Sequence, residues 1–227
     1  MTELIQGTFI SEGKRRFLCT VRVQEQDILC YVPSSCHLSP FIDLEGRTVL
    51  LTRVESPRAR TSYSLFAVKY KQSFILLNLA YANTIIEKEL GRRIFSFLGR
   101  RKTVNREQVV GGYKTDLYIH DTDTLIEIKT VLSTNTEVNF PSMVSKRANR
   151  QLRDLLPLLN DGHKVVYFVV SLNPYVKEIR IDPQYDEFYT SFIECLNKGM
   201  KCYAFSVQLK DGVPMIYRRL PLRITDS

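Results

Sequence analysis

The sequence predicts a mixed α+β chain in two parts: an OB-like β-barrel over residues 1–77 and an α/β unit over residues 78–227. Three observations carry that expectation. Up to Leu77 apolar residues recur with a period of two, as in Phe17, Cys19, Val21 and Val23, which is the spacing of a half-buried strand. Beyond Asn78 helical and strand patterns alternate, as they do in a sheet flanked by helices. No Gly/Ser-rich or Pro-rich stretch separates the two textures, so the two parts are expected to pack together.

In the first part the β-rich runs are 17–23, 28–32, 48–54, 65–70 and 74–77. Five short strands with little helix between them close most readily as an OB-type barrel, with an SH3-like barrel as the alternative. Thr84-Ile85-Ile86-Glu87 has the spacing of a capping box, and the helix it would open should stop at Gly91. Strands are then expected at 104–110, 113–120 and 124–132, a long helix at 142–160, a buried strand at 163–172, a helix at 183–197 and a strand at 201–208.

With 227 residues, 44% of them hydrophobic and only 10 Gly and 9 Pro, the chain can bury a substantial core, and collagen-like, low-complexity and disordered architectures are excluded. The longest apolar run, 165–170, falls far short of the roughly 18 residues that cross a bilayer. The opening MTELIQGTFI has neither the cationic nor the apolar segment of a secretion signal, so a soluble cytoplasmic protein without membrane contact is expected. Five cysteines without a C-x-x-C pair fit a reducing compartment. Cys19, Cys30, Cys36 and His37 match no common zinc spacing, and Asp121 with Asp123 reads as a turn rather than a calcium loop.

The charge balance, 32 basic against 24 acidic residues, favours polyanionic partners. Two clusters could follow a phosphate backbone. Six bases and no acid lie between Arg92 and Arg106, among them Arg100, Arg101 and Lys102. Lys146, Arg150 and Arg153 recur at helical spacing, with Arg147 alongside.

The residues with the most pointed chemistry are Asp116 and the Glu127-Ile128-Lys129 triplet inside the strand pattern LIEIKTVL. A hairpin turn centred on Asp121 and Thr122 would set Asp116 directly opposite Glu127, with Lys129 on the same face. Like charges opposed on a sheet repel, and a divalent cation between the carboxylates removes the conflict. Mg²⁺, or Mn²⁺ in its place, suits such a site because it takes hard oxygen ligands, here Asp116, Glu127 and the Ile128 carbonyl, and leaves room for water and substrate phosphate. Glu87, on the preceding helix, is a candidate for a further metal or water contact. The competing reading is a half-exposed hairpin whose Glu127 and Lys129 are merely solvated, and an odd-length turn would point Asp116 and Glu127 to opposite faces. The aromatic residues Tyr31, Phe41, Tyr63 and Phe66 are either barrel core or a platform for stacked bases.

The chain resembles the sugar fermentation stimulation protein A family from end to end. The matching stretches are RRFLCTVRVQ, YVPSS, YSLFAVKY, NTIIEKEL, TDLYI, TLIEIKTVLS, NFPSMVSKR, HKVVYFVVSLNP and the run from Ile181 to Phe205. The resemblance implies an OB-like domain joined to a restriction-endonuclease-like domain of the PD-(D/E)xK class, in a protein that binds DNA without marked sequence preference. The family's Asp and E-x-K then fall on Asp116, Glu127 and Lys129, its helix glutamate on Glu87, and the arginine after its F-P stretch on Arg147. The chain departs from the family pattern at Ser34-Ser35-Cys36-His37, at Ser142–Ala148 and at Tyr113-Lys114-Thr115, without loss of those acids or the lysine. The expected function is a nucleic-acid-binding protein with Mg²⁺- or Mn²⁺-dependent phosphodiesterase activity on DNA or RNA, as a monomer or homodimer. The alternative is a non-catalytic DNA-binding regulator of sugar metabolism.

Overall fold

In the computed structural model, which describes residues 3–14, 17–34, 37–56, 58–143 and 146–224, the chain opens with six strands. They are β1 (Leu4–Glu12), β2 (Leu18–Val23), β3 (Gln26–Tyr31), β4 (Thr48–Arg53), β5 (Tyr63–Tyr70) and β6 (Ser73–Leu76). They pair in the order β3-β2-β1-β4-β5-β6. A short parallel pairing of β3 with β5, which sets Cys30 beside Tyr63 and Tyr31 beside Ser64, joins the first five into a ring. This is the OB arrangement, and its interior is filled by the inward residues of the period-two pattern, including Phe9, Cys19, Val21, Val49, Leu51 and Leu65.

The five expected strands differ from the five that form the ring. β1 is not among those expected, yet it is the strand that pairs with both β2 and β4. Its pattern is weak because Phe9 is its single fully buried residue and Gly7 interrupts it. A Cβ at Gly7 would lie 2.6 Å from Val21 Cγ1 and 2.8 Å from the Arg22 carbonyl oxygen, so this close approach requires glycine. The expected fifth strand is β6, which lies outside the ring and reaches the second part through Leu76 N–H to Leu172 O, 3.1 Å.

The second part comprises α1 (Tyr81–Glu89), β7 (Val104–Arg106), β8 (Val109–Val110), β9 (Tyr113–Lys114), β10 (Leu117–Ile119), β11 (Thr124–Val131), β12 (Glu137–Phe140), α2 (Lys146–Asn160) and β13 (Lys164–Ser171), then β14 (Glu178–Ile181), α3 (Asp186–Asn197), β15 (Lys201–Lys210), β16 (Val213–Leu220) and β17 (Leu222–Ile224). The principal sheet runs β16-β15-β13-β11-β10-β7. Its middle strands β11, β13 and β15 are parallel, and its edges are antiparallel. The short parallel sheet β12-β14-β17 is not expected from the sequence.

Both faces of the principal sheet are covered, which is why β13 is buried from Val165 to Ser171. On one face Leu152 and Leu155 of α2 and Phe188 and Phe192 of α3 pack on Leu125, Tyr167 and Val169. On the other, Ile85 and Ile86 of α1 and Phe95 pack on Ile126, Ile128 and Phe168 together with Leu50, Phe66 and Leu76 of the barrel. Barrel and α/β unit therefore share one core, in keeping with the missing linker.

Several local expectations are corrected. Thr84 does not cap a helix, because α1 begins three residues earlier, where the Asn78 side-chain oxygen accepts the Ala80 N–H at 3.1 Å. The expected strand at 104–110 is split at Glu107, whose φ of 50° lies in the left-handed region. The expected strand at 113–120 is broken at Thr115 and Asp116. Among the described residues no helix is long and apolar enough to cross a membrane.

Candidate functional site

Asp116 sits where β9 gives way to β10, just outside the ladder. The pairing of Leu117 with Ile126, Tyr118 with Leu125 and Ile119 with Thr124 is the register that the hairpin argument required. It follows from a short turn over His120–Thr122 closed by Asp123 in the left-handed conformation. Continued by one residue, it sets Asp116 opposite Glu127. Leu125 and Val131 of β11 pack toward α2 and α3, so Glu127 and Lys129, on the same alternation, share that face.

The Asp116 carboxylate is held from two sides. Its Oδ2 accepts the backbone N–H of Ile128 at 2.8 Å, and its Oδ1 accepts Nδ2 of Asn83 on α1 at 3.0 Å. Glu127 is 1% exposed, and its Oε2 accepts Lys129 Nζ at 3.0 Å. Its other oxygen, Oε1, and the Tyr113 hydroxyl are both buried and make no hydrogen bond of ordinary geometry, but the two side chains lie near enough for each to act on the other's ionisation. Burial raises the Glu127 pKa; Lys129 counteracts this and the nearby Asp116 adds to it. Burial and the facing Glu127 and Asp116 carboxylates likewise push the Tyr113 phenol up. An orphaned buried carboxylate oxygen beside a second carboxylate is a set of hard oxygen donors, and it fits a small divalent cation.

A cleft of about 320 Å³ adjoins this set, lined by Ile128, Lys129, Phe140, Tyr167 and Ala148 of the α/β unit and by Phe41 from the barrel loop. Lys129 is 23% exposed and is the cleft's cationic group. The first turn of α2 borders the cleft through Ala148, and Lys146, Arg147 and Arg150 of the same helix are exposed.

Other sequence candidates are placed differently. Glu87 forms an ion pair with Arg106, whose Nε donates to Glu87 Oε2 at 2.6 Å, and it is Asn83, four residues earlier on α1, that touches Asp116. Arg153 is paired with Glu187 of α3 at 2.7 Å and ties the two helices together. Arg101 donates to the carbonyl oxygens of Leu90, Gly91, Arg92 and Gly99, so it closes the C-terminal end of α1. Arg100 pairs with Asp121 at 2.9 Å, and Lys102 gives its backbone N–H to the same carboxylate. This second basic cluster lies at the turn end of the hairpin, five residues of β11 from Lys129, or about 17 Å at the usual rise per residue.

Among the aromatic candidates, Phe66 is core and Tyr63 is half-buried, whereas Phe41 lines the cleft and Tyr31 is exposed. Cys19 and Cys30 are buried in the barrel, His37 pairs with Glu12, and Cys36 lies outside the described residues. Among the described residues no three His, Cys, Asp or Glu side chains are grouped to hold a metal. Asn83 and Tyr113 stand outside the set that sequence reasoning selects. The four-residue spacing of Asn83 from Glu87 on one helix face is the signal that points to Asn83.

Comparison with known proteins bears on the whole chain. Residues 80–212 match the model described as "Sugar fermentation stimulation protein RE domain", and residues 14–77 match "SfsA N-terminal OB domain". A sugar fermentation stimulation protein homolog of Thermotoga neapolitana is 26% identical over 207 residues, covering 89% of this chain and 88% of its own. That of Alkaliphilus metalliredigens is 25% identical, covering 90% of each. Among solved structures, Pyrococcus furiosus SfsA in complex with Ca²⁺ superposes with a TM-score of 0.84 at 18% identity, covering 98% of this chain and 96% of that one. With both parts matched in order, the chain belongs to the sugar fermentation stimulation protein family.

Proposed function

We propose that the protein binds nucleic acid and hydrolyses its phosphodiester bonds with Mg²⁺ or Mn²⁺, using the PD-(D/E)xK arrangement of Asp116, Glu127 and Lys129. The observation that carries this reading is the buried Glu127 Oε1, left without a partner beside Asp116 on a face also occupied by Lys129. Asp116, Glu127 and the Ile128 carbonyl would hold the cation. When bound, it acidifies water and offsets the charge that builds on the scissile phosphate.

The chain's own groups do the positioning. Ile128 N–H and Asn83 fix the Asp116 carboxylate, and Glu127 holds the Lys129 ammonium at the cleft. Lys129 orients water or meets the phosphate charge, while Phe41, Phe140 and Tyr167 keep the neighbouring wall apolar. Lys146, Arg147 and Arg150 extend the basic surface along α2 for a phosphate backbone. The Ca²⁺ bound by the Pyrococcus furiosus relative is also a hard, oxygen-seeking cation, which accords with such a site. A cytoplasmic location accords with Cys19 and Cys30, which face each other across β2 and β3 as free thiols.

The test is incubation of purified protein with end-labelled single- and double-stranded DNA and RNA in Mg²⁺, Mn²⁺ or EDTA, alongside Asp116→Asn and Lys129→Ala. Metal-dependent cutting by the wild type alone is the expected result. Cutting that persists in Asp116→Asn refutes the assignment. Retarded but uncut substrate in every metal favours the non-catalytic reading, which draws on the ion pair that engages Glu87 with Arg106.

A further inference from the structure

The barrel carries an apolar groove of about 560 Å³, lined by Phe17, Leu18, Tyr31, Val54, Ala59 and Arg60. It lies between the paired ends of β2 and β3, where Leu18 opposes Tyr31, and the loop joining β4 to β5. Phe17 and Tyr31 are 40% and 41% exposed, and their rings lie nearly parallel, 17° apart with centroids 6.4 Å apart. Leu29 continues the exposed strip on the outward alternation of β3. Two large aromatic rings exposed side by side at the surface mark a site for a flat apolar partner.

The charges around the groove narrow the choice. Arg53 at the end of β4 and Arg58 and Arg60 on the β4–β5 loop are exposed and form no ion pair among the described residues, and Glu55 is the single acid between Arg53 and Thr61. A partner with flat apolar faces and a repeating negative charge satisfies both features at once. Single-stranded nucleic acid has that chemistry, because its bases can stack on aromatic rings while its phosphates meet arginine. A duplex hides its base faces and offers the groove phosphates alone.

We infer that Phe17 and Tyr31 form a stacking platform which, with Arg53, Arg58 and Arg60, docks single-stranded nucleic acid on the barrel, in a groove that shares no lining residue with the cleft beside the Asp116 site. The inference rests on nucleic acid being the partner, but it does not require cleavage. One base seated on the platform should be worth roughly ten- to a hundredfold in affinity, given the usual strength of base–aromatic stacking.

The experiment is fluorescence anisotropy in EDTA, with the Asp116→Asn protein to exclude turnover. The probes are labelled dT12, a 12-mer of abasic sugar phosphate and a 12-bp duplex, against the parent and Phe17→Ala/Tyr31→Ala and Tyr31→Phe versions of it. The expected result is dT12 bound roughly ten- to a hundredfold more tightly than the abasic strand, with that advantage lost in the double alanine protein and kept in Tyr31→Phe. The abasic comparison needs no substitution in the groove, so misfolding of the double variant leaves the test intact. Equal affinity for dT12 and the abasic strand overturns the platform. So does equal loss of single strand and duplex in the double variant, or a double variant that changes only self-association and marks the groove as an interface between copies. Wild-type protein that docks dT12 but cuts no single- or double-stranded DNA or RNA in Mg²⁺ or Mn²⁺ would defeat the nuclease reading alone.

Discussion

Replacing Glu127 by Gln should make the protein more stable at pH 8 while removing its metal-dependent activity. The Glu127 side chain is 1% exposed, Oε1 has no partner, and Oε2 holds Lys129 at 3.0 Å. Burial is the largest influence on its ionisation and raises the pKa; Lys129 opposes this and Asp116 reinforces it. A carboxyl group whose pKa is higher in the folded than in the unfolded chain contributes stability below the unfolded value and loses that contribution as the pH rises through the folded value. Above that folded value the wild-type fold carries a charge it disfavours, and the neutral amide of the Glu127→Gln protein removes it. Relieving an unsatisfied buried group is worth about 1–3 kcal/mol and the lost charge-assisted bond to Lys129 about 1.5–3 kcal/mol, so the net gain is at most about 1 kcal/mol. For a chain of this size that is a rise in Tm of at most about 2–4 °C. The assay is thermal unfolding of wild type and Glu127→Gln in EDTA from pH 4 to pH 8, followed by tryptophan-independent probes such as far-UV circular dichroism because the chain has no Trp. The difference between the two proteins should shrink toward pH 4, and Mg²⁺ should stabilise the wild type only. A Glu127→Gln protein that is less stable at pH 8, or a difference independent of pH, refutes the reasoning.

The two basic clusters should separate by experiment. Arg101→Ala should lower stability by about 1–2 kcal/mol, or roughly 2–8 °C, through the lost bonds to the carbonyls at the end of α1, with little change in nucleic-acid affinity in a filter-binding assay. Combined Lys146→Ala, Arg147→Ala and Arg150→Ala should leave Tm nearly unchanged and flatten the plot of log K against log salt on duplex DNA by about 0.9 per phosphate contact removed. Gly7→Val should destabilise by several degrees in a thermal melt, since the added side chain meets Val21 and the Arg22 carbonyl, whereas Gly46→Ala has open space and differs only through its positive φ.

What the sequence made legible follows from how local each signal was. The opposition of Asp116 and Glu127 needed only a turn of even length and the period of a strand, both fixed within 12 residues, and the observed register agrees. β13 was evident because a parallel strand covered on both faces must be apolar throughout. β1 was not, because its outward and inward positions differ little and its role depends on pairing with β4, more than 40 residues away. The sheet β12-β14-β17 joins segments of three or four residues whose partners are just as remote, and such short runs carry no period. Arg101 reads as a phosphate contact because charge alone cannot distinguish a solvated guanidinium from one that closes a helix end.

The helix that was expected to bring a third carboxylate brings an amide instead. Asn83 and Glu87 lie on one face of α1, yet Asn83 donates to Asp116 while Arg106 engages Glu87. With an amide donor bonded to it, Asp116 is fixed in direction, and one of its oxygens is committed to Asn83 and the other to the Ile128 N–H. Glu127 Oε1, with the Tyr113 hydroxyl as its neighbour, is then the least committed donor, and two carboxylates with a backbone carbonyl fall short of a full octahedral shell. On the proposed reading, water and a substrate phosphate must complete that shell. A cation should therefore bind the free protein weakly and the nucleic-acid complex more tightly, and by linkage the nucleic acid should bind more tightly in its presence by the same factor. The strand is broken at Thr115 and Asp116, so the irregular backbone and the Asp116 carboxylate that bonds to Asn83 and the Ile128 N–H fall at the same place in the chain.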